Sequence, residues 1–481
     1  MSDEGSDGPL FTIVSMGEPC VVYDAGTNRL LNLDAATVAA LPHWNSKTEN
    51  LPESNEFKVL RSAELNKGWL KRKRPKAFVP AWSRETVRSK LSSTLDCLVL
   101  AVTTSCNFRC SYCLYGNHYE GYHPHGNSMM DIGTAEKSLS FFARHSQDSE
   151  ALHLNFYGGE PFLNLPVLEK SIELFPDIAN GRQYYYHVTS NGFLLNDPRI
   201  AELLIRHKVF LTISLDGPET YHDSRRRTQK GEPTFKTIMH GLELLESLDH
   251  DYFSRYVSIN AVIDRIEDLP LTRSFFLEQP LLHNQNITCS TVKHDGSNKP
   301  PSSESQQILD ELEDDLFKHF QSENPRFDSF IKRILLRDII KIHNRPGFYG
   351  FAEQEALSGL CIPGRKELFV DHAGSFHICE NTCDDLTVGN LEDGYDFDAI
   401  DRIIESFTDL SNELCRHCWA IRFCSLCFVH AFSGKSPDKE KLSRYCDRER
   451  EKILKSLQLY VRLRQEIPDS AKVLEENSFT S

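Results

Sequence analysis

Three cysteines stand with three and then two residues between them in the stretch Cys106-Asn-Phe-Arg-Cys110-Ser-Tyr-Cys113. Three thiolates on one short loop can hold three irons of a [4Fe–4S] cube and leave the fourth iron without a protein ligand. An iron with an open position can bind a small chelating molecule and pass it an electron. A zinc site would want a fourth ligand close by, and none stands in this loop. The odd count disfavours a structural disulfide. A second constellation follows far downstream: Cys361-x12-Gly374-x4-Cys379, then Cys415-x2-Cys418-x5-Cys424-x2-Cys427, and finally Cys446. Taken alone, its two Cys-x2-Cys pairs could form a zinc knuckle. The chain has 14 cysteines in all, many for a cytosolic protein, and their clustering points to metal.

The elements that must position these residues follow from patterning. At 481 residues the chain can form two to four domains, and 40% hydrophobic with 26% charged residues is ordinary for a globular protein. The acidic start Met1-Ser-Asp-Glu-Gly is no signal peptide, and no run reaches a membrane span, so the expected location is cytoplasmic, without a membrane partner. A net charge of −15 argues against nucleic acid. The first module, residues 10–70, begins with alternating stretches Phe11–Ser15 and Cys20–Tyr23, then Arg29–Leu33 and a helix capped by Asp34. A basic run, Lys71-Arg-Lys-Arg74-Pro-Lys76, opens a linker over 71–90. Over 91–295, six apolar strands alternate with helical patterns, which implies an α/β fold with a parallel sheet. Amphipathic helices over 296–355 should bridge to a cysteine-rich region at 356–450, followed by a charged helix and frayed tail over 451–481.

In such sheets chemistry sits on loops at the C-terminal strand ends, and polar groups fall there in order. The cysteine loop follows the first strand, Tyr157-Gly158-Gly159-Glu160-Pro161 the second, Ser190-Asn191-Gly192 the third, and Ser214-Leu-Asp216-Gly217-Pro218 the fourth. His222-Asp223-Ser-Arg-Arg226 comes next, with Arg225 and Arg227 as neighbours of the candidate Arg226.

The Cys-x3-Cys-x2-Cys loop, with the aromatic Tyr112 before its third cysteine, resembles the radical S-adenosylmethionine (SAM) superfamily. That resemblance implies a partial (β/α)6 barrel and a cluster at Cys106, Cys110 and Cys113 that cleaves bound SAM to a 5′-deoxyadenosyl radical. It implies SAM contacts from Tyr112, Gly158, Gly159, Glu160, Pro161, Ser190, Asn191, Ser214, Asp216 and Arg226, with Glu160 on the amino group, Ser214 and Asp216 on the ribose and Arg226 on the carboxylate. A reductase, flavodoxin or ferredoxin would be the electron donor.

The seven later cysteines resemble the SPASM domain, which implies two auxiliary [4Fe–4S] clusters and three in total. Its topology would give Cys415, Cys418, Cys424 and Cys446 to a distal cluster, and Cys361, Cys379 and Cys427 to a proximal one. Many SPASM proteins carry another cysteine six residues after the first, where this chain has Glu367. The proximal site therefore has either an open iron or Cys383 as its fourth ligand. Cys20, Cys97 and Cys289 read as small buried hydrophobes.

The stretch Val22-Tyr-Asp-Ala-Gly-Thr-Asn-Arg-Leu-Leu-Asn-Leu-Asp34 resembles a winged-helix-like precursor-peptide recognition element, which takes up a leader peptide as an added strand. The text around Cys361, Cys379-Glu380 and Cys427-Phe428 resembles the sactipeptide and ranthipeptide maturases. The resemblance implies joining a cysteine sulfur of a ribosomal precursor to an unactivated carbon. Carbon–carbon cyclisation, epimerisation and sulfatase maturation are the rival enzymatic readings, and a non-catalytic iron–sulfur protein the other. Glu380 stands where sulfatase-maturing enzymes have an acidic base.

Overall fold

The computed structural model describes residues 8–44, 54–116, 124–292, 302–357, 359–382 and 384–477. Cys383 lies outside them. The first three strands, β1 (Phe11–Ser15), β2 (Cys20–Asp24) and β3 (Arg29–Leu33), form an antiparallel sheet in that order, leaving β3 at an edge. Asp34 accepts the Thr37 N–H at 2.8 Å and so starts the helix Ala35–Trp44. A further helix, Asn55–Lys67, ends at Gly68, whose left-handed φ of 68° lets its N–H reach the last carbonyls. The segment expected as a linker is structured: β4 (Ala77–Val79) is followed by the helix Arg84–Ser93.

The expected six-strand parallel array is present: β5 (Cys97–Thr103), β6 (Ala151–Gly158), β7 (Gln183–Ser190), β8 (Phe210–Ser214), β9 (Val257–Ile263) and β10 (Asn286–Thr291) pair in chain order. Helices Ile132–His145, Leu165–Ala179 and Pro198–His207 fill the first gaps. Along β6 burial alternates: Leu152, Leu154 and Phe156 are buried in the core, while His153, Asn155 and Tyr157 are only half-buried on the other face. Polar residues line that other face elsewhere too, as in the Thr212–Ser258 hydroxyl contact at 3.0 Å. The array is therefore an open half-barrel with a polar interior. β10 is its free end.

The other end is extended rather than free. β11 (Gln354–Ala356) pairs with β4, and β12 (Glu367–Val370) pairs in parallel with β5, placing Glu367 opposite Cys97. β13 (Ser375–His377), β14 (Thr387–Asn390) and β15 (Gly394–Tyr395) continue as an antiparallel meander, giving ten strands in one sheet. Helix Phe397–Leu414 covers this region, packing on β4 and β14, whereas Ser303–Gln321 lies at the opposite end, where Asp315 pairs with Arg273. The final charged helix runs Lys439–Glu466, so it begins before Cys446 and passes through position 450 without a break. The residues expected to fray include a further helix, Ser470–Asn477.

Candidate functional site: a cysteine loop at the barrel mouth and a cysteine-lined cavity beneath it

The Cys106 loop leaves the end of β5 and is pinned on two sides. The Arg109 and Ser111 N–H groups donate to the carbonyls of Arg227 and Arg225, and the Arg109 guanidinium donates to the Cys106 and Phe108 carbonyls. The Phe108 N–H points at Cys106 Sγ at 3.4 Å. Gly158 and Gly159 bring the second loop against it: an added Cβ would stand 2.3 Å from the Thr103 carbonyl and 2.1 Å from the Ser105 carbonyl. Only glycine fits this approach. The described cysteines are free thiols. Burial pushes Cys106 up to about 12 and Cys110 up to about 11, and a bound metal overcomes such a cost because it deprotonates a thiol outright. Three convergent thiols with an amide N–H on one sulfur are a fitting donor set for an iron–sulfur cube.

Around the loop stand the polar groups from the next strand ends. Glu160 is fully buried; its carboxylate accepts from the Ser190 hydroxyl at 2.9 Å and from the Asn191 and Phe162 N–H groups at 2.8 and 3.2 Å. Burial lifts it to about 7 against these donors. A carboxylate has about four lone-pair sites, so one remains for a ligand. Asn191 reaches across to Asn107 at 2.7 Å. Pro161 begins the short 3-10 turn that Glu160 caps.

Arg226 is the buried member of the arginine trio. It donates to Tyr112 Oη at 2.7 Å, and Tyr112 donates to Asp216 at 2.5 Å. Its Nε is buried without a hydrogen-bond partner, as is Asn107 Nδ2. Arg225 instead pairs with Asp268 at 2.9 Å, and Arg227 caps the Gly231 carbonyl. Asp216 is completely buried, with one oxygen on Tyr112 and the other on the Val262 N–H at 3.2 Å. A carboxylate so engaged braces Tyr112 and, through a 3.8 Å ion pair, Arg226. Ser214 ends β8 half-buried on the interior face.

A cavity of about 960 Å³ opens from the half-barrel interior toward the later cysteines. Cys361, Cys379, Cys427, Glu367 and Glu380 line it together with His153, Asn155 and His187. Burial raises the Cys361 and Cys379 thiols, and both also lie within the electrostatic reach of Cys427 and Glu367. Glu367, Cys379 and Glu380 present ligand atoms all within 4.8 Å of one another. Cys97, expected to be a small buried hydrophobe, is only half-buried and lines this cavity, whereas Cys20 and Cys289 are buried in the core. Cys97 is displaced from the core because its strand position is an interior-facing one.

Cys415, Cys418, Cys424 and Cys446 gather around a separate small pocket. Arg450, one turn beyond Cys446 on the long helix, reaches Cys418 Sγ at 3.9 Å. The first module covers this loop: Tyr23 lies 6.3 Å from Trp419 and 5.1 Å from Phe423, ring centroid to centroid.

Residues 100–268 match the model of the Radical SAM superfamily. This part of the chain is similar to radical SAM domains. The serine-type anaerobic sulfatase-maturating enzyme of Bacteroides thetaiotaomicron is 28% identical over 34% of this chain and 39% of its own length. The cysteine-type enzyme of Clostridium perfringens is 23% identical over 73% of this chain and 93% of its own. The chain thus spans less than half of the first relative and nearly all of the second. A solved structure of native anSMEcpe with bound AdoMet shares the fold with a TM-score of 0.58 at 19% identity, covering 79% of this chain and 99% of that one.

Two features of the site escaped motif reading. His153 and His187 hydrogen-bond at 3.0 Å on the interior face of the half-barrel, signalled only by polar residues at every second position of β6 and β7. Arg450 sits four residues after Cys446, a spacing that places both on one helix face.

Proposed function

We propose that the chain is a radical SAM maturase that modifies a ribosomally made peptide, joining a cysteine sulfur to an unactivated carbon. The observation that carries this reading is the cavity in which interior-facing residues of the half-barrel, His153, Asn155 and His187, meet Cys361, Cys379, Cys427 and Glu380. Cys106, Cys110 and Cys113 hold one [4Fe–4S] cluster with SAM; Cys361, Cys379 and Cys427 hold a second, and Cys415, Cys418, Cys424 and Cys446 a third. When bound, these groups supply hydrogen-atom abstraction from carbon and a sink for the surplus electron. Thioether formation removes one hydrogen from the acceptor carbon and one from the sulfur.

The chain's own residues do the rest. Glu160, fixed by Ser190 and Asn191, holds the amino end of SAM. The free Nε of Arg226 takes its carboxylate. Glu380 is placed to accept the thiol proton. The edge of β3 offers main-chain groups to a leader peptide, and a flavodoxin- or ferredoxin-type donor supplies the electron that cleaves SAM.

Sulfatase maturation is the second reading, favoured by the relatives that this chain resembles. Anaerobic incubation with a cysteine-containing precursor encoded beside the gene, and separately with a sulfatase peptide, tests both. Loss of two hydrogens with a thiol that no longer alkylates supports the thioether. An aldehyde on the sulfatase peptide supports the second reading. Loss of two hydrogens with the thiol still reactive excludes the thioether in favour of a carbon–carbon bond.

A further inference from the structure

The cavity that holds the proximal cysteines also holds a carboxylate, Glu367, which is hydrogen-bonded to Glu380 but keeps one oxygen without a partner. Glu367 opens β12, and the parallel pairing with β5 fixes its backbone from one side while the antiparallel β13 holds the strand from the other. Its Oε1 is buried without a hydrogen-bond partner. A buried acceptor left without a donor destabilises the fold unless something binds it. The neighbouring Glu380 is differently placed, since its Oε1 accepts from Asn381 Nδ2 at 2.8 Å. Glu367 offers a ligand atom within 4.8 Å of that of Cys379, and it lines the same cavity as Cys361 and Cys427.

We infer that Glu367 is the fourth protein ligand of the proximal iron–sulfur site, binding iron through carboxylate oxygen where a cysteine is usual. The inference rests on reading Cys361, Cys379 and Cys427 as cluster ligands, and on nothing about thioether chemistry. Three thiolates and one carboxylate complete a four-iron cube. Oxygen from a carboxylate is a harder and more weakly held donor to such iron than thiolate. This corner would therefore be the most readily exchanged position of such a cluster. Cys97, opposite Glu367 in register, and Cys383 are the competing fourth ligands.

Anaerobically reconstituted full-length protein tests this by iron and sulfide content and by electron paramagnetic resonance of the reduced and oxidised forms. Glu367→Ala is expected to lose up to about four irons per chain, or to give a three-iron signal on oxidation. Glu367→Cys is expected to retain full iron while shifting the proximal cluster's spectrum and lowering its potential, which also shows that the strand still folds. Cys97→Ala and Cys383→Ala are expected to leave iron and spectra unchanged. Unaltered iron content and spectra in Glu367→Ala would overturn the inference, as would transfer of the effect to Cys97→Ala or Cys383→Ala. Full iron in the triple alanine variant of Cys361, Cys379 and Cys427 would instead sink the proximal cluster itself, a distinct failure.

Discussion

Tyr23 of the first sheet inserts between Trp419 and Phe423, on the loop that joins Cys418 to Cys424. Its hydroxyl donates to Asn28 at 2.7 Å, and Asn28 in turn donates to the Pro346 carbonyl. The first module is thus welded to the cysteine region by a fully buried aromatic ring.

Tyr23→Ala should therefore behave as a core truncation, lowering stability by about 3–5 kcal/mol. It should also release iron from the distal cysteines faster than from the Cys106 loop. Deleting residues 1–70 should do the same, so leader binding is better probed by Asn32→Pro, which removes a donor from edge strand β3 while leaving Tyr23 in place. Denaturant unfolding and timed chelator extraction measure both effects.

Gly159→Ala should disable the barrel mouth. The added methyl stands 2.1 Å from the Ser105 carbonyl, so either the cysteine loop or the Glu160 turn must move. Iron at Cys106, Cys110 and Cys113 and SAM binding should fall by at least tenfold, read by iron assay and equilibrium dialysis. Gly17→Ala, whose methyl meets only Ser15 Oγ at 3.5 Å, should change neither.

Tyr112→Phe removes the hydroxyl that both Arg226 and Asp216 use. Leaving these buried groups short of a partner should cost about 1–3 kcal/mol and weaken SAM binding, whereas Arg227→Gln, at an exposed guanidinium, should leave SAM affinity within about twofold. Calorimetric unfolding and SAM titration separate the two.

The histidine pair predicts a pH dependence. Burial, with His153 beside it, lowers His187 from 6.5 to about 4. Below pH 6.5 the unfolded chain takes up a proton that the folded chain refuses until about pH 4. Stability must therefore fall as pH drops across that window and be fully present above it. His187→Gln should flatten this slope in thermal unfolding scans between pH 6.5 and 4.

Much of this was legible because the informative residues are local. The strand order and the loops at Cys106, Glu160 and Asn191 follow from apolar runs punctuated by Gly, Asn and Cys. The parts that were not legible depend on distant pairing. Asp216 shows a carboxylate in a strand-end loop, but its burial against Tyr112, 104 residues away, appears only in three dimensions. Cys97 lies at the start of an apolar strand whose period alone does not say which face is hollow. In the basic run that suggested a solvated linker, Arg72 pairs with Glu64 of the helix just before it, and Lys76 pairs with Glu353 because β4 joins β11 from the far end of the chain. Cys446 belongs to a helix whose start at Lys439 is set by the Asp438 cap, which accepts from the Lys441 N–H.

Strand β5 begins at Cys97 on the cavity wall and runs into the Cys106 loop, paired with β6 along most of its length and with β12 over Cys97–Leu100. Held along both edges over its first half, it carries a single register irregularity between Ala101 and Thr103, and its six steps from Cys97 to Thr103 span roughly 20 Å. It is a ruler between the two ends of the reaction chamber. On the proposed function, a substrate would be selected by length before it is selected by chemistry, since its reacting positions would have to reach toward both ends of this strand.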